Sequence, residues 1–146
     1  MHIPRSFSPE LLALMAAMGH GEELLLGDGN FPLLSTGGPG VKRIQLPVRD
    51  IAGLLADILY FFPLDETVEA PLTVMESAKE SGAYRRYGEI LSRLGIKAAI
   101  GVMERFAFYD RAAKAVGIVM SADTSKGGGR SFEKGSNQRL AWIWKL

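Results

Sequence analysis

The chain has 146 residues, 47% of them hydrophobic and 23% charged, with a formal net charge of +1. This length suits one domain with its own hydrophobic core, and the low net charge without a basic stripe argues against nucleic-acid binding. The chain has no cysteine, which excludes disulfides and thiolate metal sites. We see no bilayer-spanning segment and no secretory signal, so we expect one cytoplasmic domain over residues 1–146, without a membrane partner.

The sequence predicts alternating helices and strands. Ser8, Pro9 and Glu10 mark the start of the first helix, as N-cap, first helical position and acid of the first turn. We expect this helix to end at Gly19 in the left-handed conformation. Apolar spacing then predicts, in chain order, strands 22–26 and 41–46, helix 51–62, strand 72–75, helix 84–94, strand 98–103, helix 106–115 and strand 117–121.

This alternation is typical of an α/β fold. We predict a single three-layer domain with a mixed or mostly parallel sheet flanked by helices. In such sheets ligands bind at the carboxyl ends of strands. Asp28, Glu104 and Arg105 each follow a predicted strand directly, so we expect them to converge at that edge.

His20 is the first candidate for chemistry. It lies between Gly19 and Gly21, and Asp28 follows one strand length later. Histidine titrates near physiological pH, so His20 and Asp28 form a plausible acid/base pair. The alternative is that Gly19 ends a helix, His20 caps it and Asp28 begins a turn.

Residues 104–112 are the second candidate segment. Arg105, at a junction between strand and helix, could donate several hydrogen bonds to a hydroxylated or anionic ligand. Phe106 and Phe108 could line an apolar pocket. The alternative is that the segment is a plain amphipathic helix with a buried apolar stripe, and that Arg105 and Arg111 are solvated.

Two other site types are disfavoured by the pattern. Residues 126–131 combine glycines with cations, but their order fits neither phosphate-loop pattern, and we interpret them as a flexible surface loop. His20 with the acids of residues 22–28 is weak evidence for a metal site, because neighbouring strand residues point to opposite faces. We therefore predict no metal.

Together the two candidate segments resemble the fucose mutarotase branch of the ribose pyranase/fucose mutarotase family. The resemblance covers roughly residues 6 to 136. It is carried by the following stretches: residues 8–12, residues 18–23, Asp28, Phe31 and Pro32, residues 105–112 and residues 133–135.

The resemblance implies a cytoplasmic α/β protein that interconverts the α and β anomers of a monosaccharide without a cofactor. It also implies a ring-shaped homo-oligomer, commonly a decamer. The acid/base histidine of the family falls on His20, and its sugar-binding aspartate and arginine fall on Asp28 and Arg105. Glu104 either assists or is a structural acid that pairs with Arg111.

One loop departs from the family pattern. Where the family has a Tyr-x-Asn segment that contacts the sugar, this chain has three glycines at residues 127–129, after Lys126. Sugar contacts on that side are then lost, made by backbone N–H groups, or supplied elsewhere, and Lys126 is a possible site residue. The sequence therefore leaves three possibilities: a mutarotase, a sugar-binding protein without catalysis, and a structural oligomer.

Residues 137–146 form an apolar C-terminal extension beyond the family pattern. Leu140, Trp142, Trp144 and Leu146 alternate with other residues, which predicts a strand with one apolar face. Such a surface marks either a contact between subunits or a lid. In the lid hypothesis, Trp142 or Trp144 stacks on the sugar, as part of the same or a neighbouring subunit.

Overall fold

The computed structural model describes residues 2–65, 67–79, 82–124 and 141–145. Five helices and six strands lie within these ranges. In chain order they are α1 (Pro9–Ala17), β1 (Glu23–Gly27), β2 (Lys42–Gln45), α2 (Ile51–Phe61), β3 (Leu72–Met75), α3 (Glu76–Lys79), α4 (Gly82–Arg93), β4 (Ile100–Met103), α5 (Arg105–Ala112), β5 (Gly117–Met120) and β6 (Ala141–Lys145).

The six strands form one sheet in the order β2-β5-β1-β6-β3-β4. Strands β1, β2 and β5 are parallel to one another, as are β3 and β4. Strand β6 is antiparallel to both of its neighbours, β1 and β3. The carboxyl ends of the other five strands therefore meet at one edge, which we call the carboxyl edge, and their amino ends meet at the opposite, amino edge.

Helices cover both faces of this sheet. Leu24 and Leu26 of β1 join the larger core cluster, to which α1, α2 and α4 contribute. Leu25, between them, points to the other face and packs with Phe108 and Ala112 of α5. The predicted three-layer α/β domain with a mostly parallel sheet is confirmed.

The local signals at helix ends are confirmed in part. Ser8 caps α1 by accepting a hydrogen bond from the Leu11 N–H at 3.2 Å. Helix α1 ends at Ala17 with Met18 as its C-cap, however, and the glycine with positive φ in the following turn is Gly21 rather than Gly19. Helix α4 ends at Arg93, one residue before the predicted end, and Gly95 follows with φ of +70° while the Ile96 N–H donates to the Leu91 carbonyl.

The C-terminal strand is present, but its position was not anticipated. Trp142 lies in register with Leu26 and Val74, and Trp144 with Leu24 and Leu72. The backbone of the tail is thus paired on both sides inside the sheet of its own chain, rather than at the rim of the molecule. The sugar-stacking roles suggested for the two tryptophans stay predictions.

No helix within the described residues is long and apolar enough to cross a membrane.

Candidate active site

His20 lies at the tip of a tight turn between α1 and β1. The Glu22 N–H donates to the Gly19 carbonyl at 3.2 Å, and the Glu22 carboxylate accepts from the Gly19 N–H at 2.7 Å. Gly21 takes φ of +85° at the third position of this turn, where a side chain would be strained. The turn therefore fixes the backbone and presents the His20 side chain, which is 75% exposed, to solvent.

A buried carboxylate faces this histidine. Pro63 follows the end of α2, and the chain then turns inward so that the Asp65 side chain is only 2% exposed. Its Oδ1 accepts hydrogen bonds from the N–H and the hydroxyl of Thr67, the first of them 2.9 Å long. Its Oδ2 lies 3.7 Å from His20 Nε2. The two side chains form an ion pair when the imidazole is protonated.

Asp65 was not a candidate in the sequence analysis. It belongs to no recognisable motif, and its partner His20 is far away along the chain. The only local signal is the threonine two residues later, which is typical of an aspartate that bonds to its own turn.

The structure separates His20 from Asp28. The two residues flank β1, so His20 lies at the amino edge and Asp28 at the carboxyl edge. Four residue steps of strand alone span about 13 Å. The acid/base pair suggested for His20 and Asp28 is therefore wrong within one chain, and the carboxylate beside the imidazole is Asp65.

Asp28 is held in a hydrogen-bonded turn at the end of β1. Its Oδ1 accepts a hydrogen bond from the Asn30 N–H at 2.9 Å, and Asp28 as a whole is 3% exposed. The next residue, Gly29, donates its N–H to the carbonyl of Asp123 at 2.7 Å. Asp123 in turn accepts from the N–H of Ile51 at 3.0 Å, so it joins the Asp28 turn to the start of α2. This framework fixes the Asp28 backbone.

Arg105 and Glu104 lie at the same edge, at the junction of β4 and α5. Glu104 is the N-cap of α5 and accepts from the N–H groups of Phe106 and Ala107 at 2.9 and 3.2 Å. Arg105 is exposed, and so is the Phe106 ring. Phe108, by contrast, is fully buried in the core and lines no pocket.

The suggested pair of Glu104 with Arg111 is wrong. Arg111 binds Glu23 with two nitrogens, at 2.9 to 3.1 Å, and donates to the Thr73 hydroxyl at 3.0 Å. Its side chain is 24% exposed, so it is not solvated either. Arg111 has a structural role, and Glu104 caps a helix.

Asp28, Glu104 and Arg105 share the carboxyl edge, as expected, but they do not converge there. Strands β1 and β4 are separated by β6 and β3, which puts Asp28 and Arg105 about 14 Å apart across the sheet. An aromatic pair lies on the Asp28 side: Tyr109 of α5 stacks on Phe31 of the Asp28 turn with ring centroids 6.1 Å apart.

Several candidate residues lie outside the described part of the chain. These are Lys126, the three glycines at 127–129 and residues 133–135. Trp142 and Trp144 are described through their backbone pairing alone. Among the described residues, no three histidine, aspartate or glutamate side chains are close enough together to hold a metal ion.

The fold and these residues place the chain in a known class. It belongs to the RbsD / FucU transport protein family, whose model matches residues 1–136. The chain is 41% identical over 140 residues to proteins named fucose mutarotase from Bos taurus and Homo sapiens, covering 91% of each chain. It also resembles the crystal structure of the Streptococcus pneumoniae fucose mutarotase in complex with L-fucose, with a TM-score of 0.79 and 30% identity over 99% of this chain and 95% of that one. The resemblance found in the sequence is confirmed.

Proposed function

We propose that this protein is a monosaccharide mutarotase that interconverts the α and β anomers of a fucose-like 6-deoxyhexose in the cytoplasm. The observation that carries this proposal is the His20 imidazole, exposed at the tip of a rigid turn, with the buried Asp65 carboxylate 3.7 Å away. Relatives named fucose mutarotase at about 40% identity support the same reaction and substrate.

The reaction needs one proton delivered and one removed. A proton goes to the ring oxygen, the anomeric hydroxyl loses its proton, and the C1–O5 bond breaks to give the open aldehyde. Rotation about C1–C2 and closure give the other anomer. His20 transfers the proton as general acid and base. Asp65 stabilises the imidazolium form and orients the ring, and the two side chains can approach more closely once a sugar is bound. No redox step occurs, so the reaction needs no cofactor.

The sugar anchors belong to a neighbouring copy of the chain in this proposal. His20 lies at the amino edge of the sheet, whereas Asp28 and Arg105 lie at the carboxyl edge. A monosaccharide cannot span the strand between them. In a ring-shaped homo-oligomer, such as a decamer, the carboxyl edge of one subunit can meet the amino edge of the next, because a head-to-tail contact closes into a ring.

Subunit mixing tests this shared site. His20→Ala and Asp28→Asn each remove one half of the site, and we expect each homo-oligomer to be nearly inactive at low sugar concentration. When the two variants are co-expressed in equal amounts, about one quarter of the sites combine an intact His20 with an intact Asp28. Recovery of roughly that share of wild-type activity supports the shared site. Recovery of none contradicts it, provided that tagged pull-down shows mixed oligomers.

Anomer exchange on fucose tests the proposed function itself. One anomeric proton is saturated by NMR, and transfer to the other anomer is followed with and without protein. Accelerated transfer with substoichiometric wild type is the expected result. If the sugar signals broaden while transfer stays at the uncatalysed rate, the protein binds sugar without catalysis. That second function is favoured by the three glycines at 127–129, which carry neither the phenol nor the amide of the family loop.

A further inference from the structure

A large cavity opens beside Asp65, the residue that faces His20. Its volume is about 850 Å³, and Asp65 is part of its wall. One side is built by the end of α2 and the loop that follows it, within residues 59–65 and 68–71. The other side is the turn after α4, residues 93–99, which the Gly95 cap holds in place. The cavity therefore reaches the residue whose carboxylate faces His20.

The cavity is too large for one monosaccharide. A 6-deoxyhexose has about eleven non-hydrogen atoms, and even at the roughly 30 Å³ that a water molecule takes in the liquid it fills about 330 Å³ at most. More than half of the 850 Å³ stays vacant around a single ring. This surplus is enough for a second ring of the same size.

The wall of the cavity suits a neutral carbohydrate. Tyr60 is 73% exposed, and its ring is supported by an edge contact with Phe61 at a centroid distance of 5.2 Å. An exposed, fixed aromatic face of this kind stacks on the apolar C–H face of a sugar. The charges on the wall balance in number, with two acids, Asp65 and Glu69, and two bases, Arg93 and Lys97. Such a wall has no net charge that would select an anionic ligand, and it offers both donors and acceptors to hydroxyl groups.

We propose that this cavity binds the second sugar unit of a reducing disaccharide, with Tyr60 as its stacking platform. The proposal rests on the proposed function and extends its substrate class. The reducing ring takes the position at His20 and Asp65, where its free anomeric centre reacts. The attached unit lies along residues 59–65, 68–71 and 93–99. No bond to the second unit forms or breaks.

The test compares fucose with disaccharides that carry fucose at the reducing end, substituted at O2, O3 or O4. Anomer exchange is measured by NMR for wild type, Tyr60→Ala, Tyr60→Phe and Leu34→Ala. For at least one disaccharide we expect Tyr60→Ala to lower kcat/KM roughly 3- to 10-fold, mainly through KM, because the stacking contact is lost. Exchange on fucose should stay within about twofold of wild type. Tyr60→Phe keeps the ring and should keep the activity. Leu34 is a matched control, since it is 87% exposed and lies outside the cavity.

Two outcomes overturn the proposal while the mutarotase stands. One is that fucose exchanges but none of the disaccharides does. The other is that Tyr60→Ala slows fucose and disaccharides equally, or dissociates the oligomer in sedimentation, which makes Tyr60 a general or subunit contact. If fucose itself does not exchange, the proposed function fails, and the role of the cavity is then tested by disaccharide binding alone. The NMR readout is then saturation transfer from the protein to the protons of the second sugar unit. Transfer in wild type that is lost in Tyr60→Ala still supports binding of this unit in the cavity. No transfer in wild type refutes it.

Discussion

We expect His20→Ala to lower the catalysed rate of fucose anomer exchange by about 10²- to 10⁴-fold, the usual contribution of one general acid–base group. The variant should fold normally, because the His20 side chain is 75% exposed and the turn is held by the Gly19 and Glu22 backbone and carboxylate contacts. NMR magnetisation transfer gives the rate, and circular dichroism checks the fold. A loss of less than about tenfold contradicts His20 as the proton-transfer group.

Asp65→Asn tests whether the buried carboxylate works with His20. The amide oxygen of asparagine can still accept from Thr67, so the local turn is kept, while the negative charge facing the imidazole is lost. We expect a fall in kcat that is large and not additive with that of His20→Ala, because residues that act as one unit give non-additive losses. Asp110→Asn is the matched control, since Asp110 is exposed on α5. Additive losses in the double variant would assign Asp65 a role independent of His20.

The sequence predicted those parts of this site whose signals lie close together in the chain, and it missed contacts between residues that are far apart in the chain. The turn around His20 and the turn around Asp28 carry local signals, glycines and an aspartate at strand ends, and both were found. The partnership of His20 with Asp65 has no such signal, because it is created by the inward turn after Pro63 and by the packing of α2 against the sheet. Separation along the chain also explains why the nearby Glu104, and not Glu23, was considered as a partner of Arg111.

In the fold, too, features with local signals were predicted, and features that depend on distant residues were not. Strand β1 and helix α2 were predicted within about one residue at each end, because periodicity and Pro63 act locally. Helix α3 was missed, since four residues are too few for a periodic pattern. Strand β6 was predicted as a strand, but its place between β1 and β3 depends on pairing with residues far away in the chain. The alternation of residues along a strand shows which of them share a face, but it does not show which strands lie beside it.

Arg111→Ala should be strongly destabilising, although Arg111 lies outside the proposed active site. Its guanidinium joins Glu23 of β1 to Thr73 of β3, the two strands that flank β6. In register these two residues lie opposite Lys145 and Ile143 of β6. Removing the arginine leaves the Glu23 carboxylate, 16% exposed, without its guanidinium partner. We expect a loss of about 2–4 kcal/mol in the free energy of unfolding, measured by urea titration at fixed protein concentration.

Two comparisons show whether this loss comes from the buried pair. Arg85 pairs with Glu89 at 3.3 Å on an exposed helix face, so Arg85→Ala should cost no more than about 0.5 kcal/mol. The double variant Glu23→Leu with Arg111→Met removes both charges and should recover most of the stability, because the unpaired buried charge is then gone. Hydrogen exchange shows where in the fold the stability is lost. Amides of β6 should exchange faster in Arg111→Ala and stay protected in Arg85→Ala. Equal losses for the two alanine variants would mean that the Glu23–Arg111 pair does not hold the two strands around β6.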